Sequence, residues 1–87
     1  MEIARHPQFE KKLSRLSKPI RRAVAERTAL FLSDSRHPLL NDHALTGERQ
    51  GQRSLNITGD WRLIYEPITT DIVLFVDVDT HHNLYGS

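Results

Sequence analysis

Ser54-Leu55-Asn56-Ile57-Thr58-Gly59-Asp60-Trp61-Arg62-Leu63-Ile64-Tyr65 reads as two strands folded back on each other. β-branched and aromatic residues flank Gly59 on both sides, and Gly59 is expected to supply the positive φ of a tight turn. A two-residue turn would set Leu55 and Ile57 opposite Ile64 and Arg62, scattering the apolar residues over both faces. A three-residue loop, Thr58-Gly59-Asp60, instead pairs Ile57 with Trp61 and Leu55 with Leu63. One apolar face results, so the three-residue loop is the expected one. Because side chains alternate with a period of two, Ser54, Asn56, Arg62 and Ile64 then share the other, open face, with Asp60 at the loop tip.

Outward from this hairpin, the chain resolves into few elements. Met1 to Arg5 alternates apolar and polar as a short first strand does. Pro7 suits the opening of a helix in which Phe9, Leu13 and Leu16 fall on one side. Ser17 is a good N-cap for a second helix, with Pro19 in its first turn and Ile20, Ala23, Val24, Leu30 and Phe31 as its buried stripe. Asp34-Ser35 and Pro38 stop it. Two helices with so short a link form an antiparallel hairpin that must lie against a sheet. Residues 35–52 make a long polar segment, the kind of loop that is often functional, with Leu39, Leu40 and Leu45 as expected anchors. Ile72 to Asp79 is a last strand whose even-numbered residues make the better core face. Asp77, Asp79 and His81 then share the opposite face, together with Asn56 and Arg62. The expected architecture is α+β: an N-terminal strand and a two-helix hairpin packed on a mostly antiparallel four-stranded sheet.

The totals agree with one small domain spanning residues 1–87. No apolar run approaches the roughly 20 residues of a membrane span, and the N-terminus lacks a signal-peptide core. The absence of cysteine fits a reducing cytoplasm. The net charge of +1 hides an asymmetry. Arg5, Lys11, Lys12, Arg15, Lys18, Arg21, Arg22 and Arg27 crowd the first third, whereas every charge between Glu66 and Asp79 is negative. Such a basic flank suits nucleic acid or an acidic partner, or is simply a solvated helix surface.

Three separated stretches aim polar groups at one surface: His43 from the loop, Asn56, Asp60 and Arg62 from the hairpin, and His81 with Tyr85 from the C-terminus. That set suits transesterification of RNA. The ribose 2′-OH attacks the adjacent phosphate, a base takes its proton, and an acid protonates the leaving 5′-oxygen. Histidine serves in either role, and a guanidinium stabilises the charge that accumulates on the phosphoryl oxygens. The reaction needs neither metal nor other cofactor. Each residue also has a plainer reading. His43 can be an ordinary loop histidine, Asp60 a turn residue, and Trp61, which falls on the apolar face, a core residue. His6, His37 and His82 have no such context and are read as surface residues. Asp77, Asp79 and His81 at spacing two also fit a metal site, or the aspartates merely orient the histidine.

Asp42-His43-Ala44-Leu45-Thr46-Gly47, Gly59-Asp60-Trp61-Arg62-Leu63-Ile64-Tyr65 and Thr80-His81-His82-Asn83-Leu84-Tyr85 resemble the signature segments of the RelE/ParE toxin superfamily. The loop histidine, the Asp-Trp pair and the histidine near the C-terminus point to its branch of YafQ-type mRNA interferases. The resemblance implies a toxin of a type II toxin–antitoxin pair that cleaves mRNA, commonly on the ribosome, in the cytoplasm and away from membranes. It also implies a cognate antitoxin as partner, with operator DNA reached only through that antitoxin. It assigns catalytic roles to His43, Asp60 and His81, a supporting role to Trp61, and base contact to Tyr85. His81 is expected as the acid, either Asp60 or His43 as the base, and Arg62 as the oxyanion stabiliser, as in the RelE branch. The chain departs from the YafQ pattern at Asn56, where a further histidine is usual, and at Asp77, where an arginine is usual. Asn56 can still hold a phosphate or the 2′-OH. A ParE-like inhibitor of a topoisomerase, performing no chemistry, shares the fold and is the rival reading. An inactive relative kept as a binding partner is another.

Overall fold

A computed structural model describes residues 1–86. The central hairpin forms in the expected register. Strand β3 (Arg53–Asn56) runs antiparallel to β4 (Trp61–Pro67), with Leu55 opposite Leu63 and Asn56 opposite Arg62. The Ile57 N–H donates to the Trp61 carbonyl at 2.9 Å, closing the three-residue loop Thr58-Gly59-Asp60. Gly59, however, is not in the left-handed region. Side chains close the loop instead. Thr58 Oγ1 accepts from the Asp60 and Trp61 N–H groups at 3.2 and 3.1 Å. The Arg62 guanidinium donates to the carbonyls of Thr58, Gly59 and Trp61 at 2.9, 3.3 and 3.0 Å. Hydroxyl and guanidinium satisfy the turn's backbone groups, so no glycine conformation is needed.

Ahead of the hairpin, β1 (Glu2–Arg5) leads into helix α1 (Pro7–Ser14) and then α2 (Lys18–Ser33). The prolines sit in the first turns, where their missing N–H is harmless. His6 caps α1, its Nδ1 accepting from the Gln8 N–H at 3.0 Å. Ser17 occupies the N-cap of α2 but makes no capping bond through its side chain. Strand β5 (Ile72–Thr80) follows the hairpin, and a one-turn helix α3 (His81–Tyr85) closes the described chain. The sheet has five strands rather than the four expected, in the order β1-β5-β4-β3-β2. The addition is β2 (His43–Ala44), which pairs antiparallel with β3 at the edge. Two residues are too few to show an alternation in sequence.

Both helices cover one face of the sheet. Phe9 and Val24, Phe31 from α2, Leu55, Ile57, Leu63, Tyr65, Phe75 and Val78 form the buried core, with Leu40 sealing one end. Phe75 is central, its ring 5.5 Å from Phe9 and 6.4 Å from Phe31. Leu39 does not anchor the long segment. It is exposed, and Leu40 alone of that pair is buried.

The core face of β5 also departs from expectation. Tyr65 pairs with Phe75, yet Ile64 pairs with Asp77, so Val76 is an extra residue in a β-bulge. Parity switches there. Val73 and Phe75 point into the core before it and Val78 after it, whereas the even-numbered residues 72, 74 and 76 do not join the buried set. Asp77 and Asp79, opposite Ile64 and Arg62, do lie on the far face as expected. That face is less open than expected, because Ser54 and Ile64 are both 0% exposed.

Past the end of β1, one edge of β5 is uncovered, and Lys12 of α1 reaches around it. Its ammonium lies 2.8 Å from Asp77 Oδ1 and 2.8 Å from Asp79 Oδ2. Burial alone would raise the Asp79 carboxyl. Hydrogen bonds from Lys12, Asn83 and the Thr80 N–H outweigh it and hold the group below the ordinary aspartate value. Burial likewise pulls Lys12 down, but the two carboxylates bring it above its ordinary value.

Two outcomes are expected from this packing. Phe75→Ala costs about 3–5 kcal/mol in denaturant unfolding, while Leu32→Ala, on an exposed helix face, stays within about 0.5 kcal/mol. Since the folded Asp79 carboxyl is held low, its contribution to stability is present above the unfolded-state value and lost as pH falls through the folded one. Unfolding midpoints measured between about pH 6 and pH 2 should therefore fall less steeply for Asp79→Asn than for the wild type; parallel curves would refute the assignment.

Candidate active site

Four local devices place the site on the sheet face opposite the helices. The first holds the loop strand. Asn41 adopts a left-handed conformation with φ 44°, and Asp42, next in the chain, is clamped by the hairpin. Asp42 Oδ1 accepts from Arg53 Nε at 2.9 Å and Oδ2 from the Tyr65 hydroxyl at 2.7 Å. Burial, reinforced by the bond to Asp42, pushes the Tyr65 phenol far above its ordinary value, so it remains a donor. The hydrogen bond to Asp42 likewise raises Arg53 against the opposing effect of burial. With Asp42 fixed, His43 sits opposite Ser54 in the ladder, on the face away from the helices.

The second device sets the tautomer of His43. Its Nδ1 lies 2.8 Å from the Asn41 carbonyl. A carbonyl can only accept, so Nδ1 carries the proton and Nε2 of the neutral ring presents a lone pair. His6 and His37 are the reverse, since each accepts a backbone N–H at Nδ1 to cap a helical turn. Their Nε2 atoms therefore carry the proton in the neutral ring. Both belong to helix capping, a more specific use than the surface positions expected for them.

The third device is α3. Thr80 caps it, its Oγ1 accepting from the Asn83 N–H at 3.2 Å, and Gly86 ends it with φ 74°. The His81 N–H donates to the Asp60 carbonyl at 2.8 Å, joining the helix start to the hairpin loop. The Tyr85 ring meets His81 edge-on at 4.7 Å. Thr80 and Gly86 stand at N-cap and C′ spacing in the sequence, a signal that could have revealed this short helix.

The fourth is the turn at Gly47–Arg49, which Gly47 enters with φ 67°. It brings Arg49 beneath the loop, where Nη2 lies 3.4 Å from Asp77 Oδ2 and Nη1 3.3 Å from Gln52 Oε1. Nothing periodic in a polar loop marks Arg49, and only the folded chain shows where it points.

Together these enclose an open cavity of about 480 Å³ whose lining includes His43, Thr46, Arg49, His81 and Tyr85. Two predicted site histidines from opposite halves of the chain thus share one concave surface, with Tyr85 beside them. The remaining predicted residues do not line it. Asp60 is exposed at the loop tip and reaches His81 through its backbone. Trp61 packs against the hydrophobic core. The Arg62 guanidinium is turned onto its own loop carbonyls. Asn56 is half-buried, with Oδ1 buried and unpaired among the described residues, and the Tyr85 hydroxyl and Ser54 Oγ are likewise unpaired. Asp77 and Asp79 are engaged by Lys12, and no group of three His, Asp or Glu side chains among the described residues converges as metal ligands.

Comparison with known proteins places this architecture. The family described as the bacterial toxin of type II toxin–antitoxin system, YafQ, matches residues 1–86. YafQ from E. coli strain BL21(DE3) superposes with a TM-score of 0.79 at 24% identity, covering 98% of each chain. YafQ in the E. coli DinJ–YafQ toxin–antitoxin complex gives 0.77 at 25% identity, over 98% of this chain and 97% of that one. A YoeB/ParE toxin from Agrobacterium tumefaciens shares the fold, with a TM-score of 0.74 at 14% identity over 93% and 99% of the two chains. No match was found among curated protein sequences. The α+β fold of the RelE/ParE superfamily is common to all of these structures, and the family match runs through every described residue: this chain belongs to the YafQ family of bacterial toxins of type II toxin–antitoxin systems.

Proposed function

We propose that the protein is an endoribonuclease that cuts mRNA by attack of the ribose 2′-OH on the neighbouring phosphate. The observation that carries this reading is the shared cavity of His43 and His81, with His43 held by the Asn41 carbonyl in the tautomer that a base requires. His43 Nε2 accepts the proton of the 2′-OH as that oxygen bonds to phosphorus. The P–O5′ bond breaks, and the protonated His81 imidazole transfers its proton to the departing 5′-oxygen. The products are a 2′,3′-cyclic phosphate and a free 5′-hydroxyl. Each proton transfer contributes on the order of 10²–10⁴-fold, and no step calls on a metal.

Between the two candidate bases, geometry favours His43 over Asp60, whose carboxylate lies outside the cavity lining. In this reading Asp60 acts as a positioning residue, fixing the start of α3 and hence His81. Trp61 supports the same loop from the core side, and Arg62 ties up its carbonyls. Tyr85, its ring against His81, is placed to contact a base beside the cut. Asn56, half-buried on the same sheet face, keeps its Oδ1 buried and outside the cavity lining, and takes no step in this reading.

The substrate is proposed to be mRNA on the ribosome. The basic outer surfaces of α1 and α2, with Lys11, Arg15, Lys18, Arg21 and Arg22 all exposed, suit phosphate contacts whose strength falls steeply with salt. The YafQ of the DinJ–YafQ complex is held by an antitoxin. By analogy a cognate antitoxin partners this chain, folding onto the basic surface and carrying the pair to its operator. Both would act in the cytoplasm. No helix among the described residues is long and apolar enough to cross a membrane.

Induced expression followed by mapping of mRNA 5′ ends tests the reading. Site-specific cuts with 5′-hydroxyl ends are expected, reduced at least about 100-fold by His81→Ala and by His43→Ala. DNA damage without cuts would replace it with the ParE-like reading, and no toxicity would leave only a binding partner. A 2′-O-methyl group at the cut nucleotide should block cleavage. Continued cutting would remove the 2′-OH from the mechanism.

A further inference from the structure

The cavity has an acid and a base, but the arginine that the sequence offered as its charge-stabilising group does not face it. We propose that Arg49 is the phosphate-binding residue of this site. The inference rests on the ribonuclease reading above and supplies the part that reading lacks. Arg49 is the one arginine or lysine among the residues that line the cavity. Arg62 donates one nitrogen to three backbone carbonyls at 2.9–3.3 Å and is absent from the lining.

Arg49 is oriented without being saturated. Its two side-chain contacts, to Asp77 and Gln52, are long at 3.4 and 3.3 Å. A guanidinium has five N–H donors, so most remain for a ligand. Asp77 competes weakly for it, because Oδ1 of that carboxylate is already held by Lys12 at 2.8 Å. The side chain is only 31% exposed, which reduces the screening of its charge by water. The backbone beneath it is fixed on both sides, with Arg49 N–H donating to the Thr46 carbonyl at 3.3 Å and the Arg49 carbonyl accepting from the Gln52 N–H at 3.0 Å. A preoriented fork of donors beside two histidines matches the two non-bridging oxygens of a phosphodiester, and gains strength as charge develops on them. Asp77 thus has two counter-charges, Lys12 from α1 and Arg49 from the loop, and lies outside the cavity lining, where Glu48 is the one carboxylate beside Arg49.

The test pairs two readouts on wild type, Arg49→Ala, Arg49→Lys and Arg36→Ala, each checked for native circular dichroism. The first is mRNA cleavage. The second is binding of a random-sequence 2′-O-methyl oligoribonucleotide, which cannot be cut, across a range of salt. Arg49→Ala should cut on the order of 10²-fold more slowly and flatten the slope of log K against log salt by about 0.7, one single-strand phosphate contact. Arg49→Lys, which keeps the charge but not the fork, should recover most of the slope and part of the rate. Arg36, an exposed arginine away from the cavity lining, is the control, expected within about twofold of wild type on both. Arg49→Ala cutting and binding as the wild type does would overturn the proposal while leaving the nuclease reading standing. A wild type that cuts no mRNA would sink that reading instead, and the salt slope alone would then decide whether Arg49 holds phosphate.

Discussion

The bulge at Val76 is the constraint on which both faces of the molecule depend. Strand β5 is an inner strand, paired with β1 on one side and β4 on the other, and it must serve two masters in sequence. Its first half fills the core through Val73 and Phe75, and its second half does so through Val78. Were Val76 paired regularly rather than bulged, strict alternation would send Asp77 and Asp79 into the apolar layer along with Phe75. An unpaired carboxylate there would cost several kcal/mol. The bulge removes the conflict by shifting the parity once.

With the two aspartates on the far face, electrostatics assembles the rest. Lys12 bridges both carboxylates around the free edge of β5, which pins α1 against the sheet and neutralises much of the local charge. Arg49 approaches from the opposite direction. Asn83 Nδ2 donates to Asp79 at 2.9 Å and so fastens α3. The two aspartates are thereby the posts to which α1 and two elements that line the cavity, the Arg49 turn and α3, are tied. Across the sheet, Asp42 plays a comparable part. Its two bonds to Arg53 and Tyr65 face the helices, so the next residue, His43, must face the cavity.

Burial concentrates on the helix side of the sheet, and irregular structure on the other. Loops and one-turn elements carry the site, and scaffold strands hold them. Ser54 Oγ, Asn56 Oδ1 and the Tyr85 hydroxyl are unpaired although buried. Thr28 Oγ1, on α2 and away from this face, is likewise buried and unpaired.

Much was legible in the chain itself, for local reasons. Helix boundaries followed from Pro7, Ser17, Pro19 and Asp34, because capping and the missing proline N–H act within one turn. The hairpin register followed from pairing Leu55 with Leu63, because only that choice collects one apolar face. The residues His43 and His81 stood out by type, as did the segments that resemble the toxin family. What lay beyond it required partners distant in sequence. The run Ile72-Val73-Leu74-Phe75-Val76 is apolar throughout, so its hydrophobicity has no parity to read, and the bulge appears only when β4 and β1 are in place. Gly59 looked like a left-handed turn residue, yet Thr58 and Arg62 close that loop by bonds no local pattern announces. Arg62 and Arg49 are chemically alike, and composition cannot say which faces the cavity. Residue identity determined which chemistry was available; long-range pairing decided which of those groups meet, because the carbonyls and carboxylates that orient a guanidinium or an imidazole are brought to it only by the closed sheet.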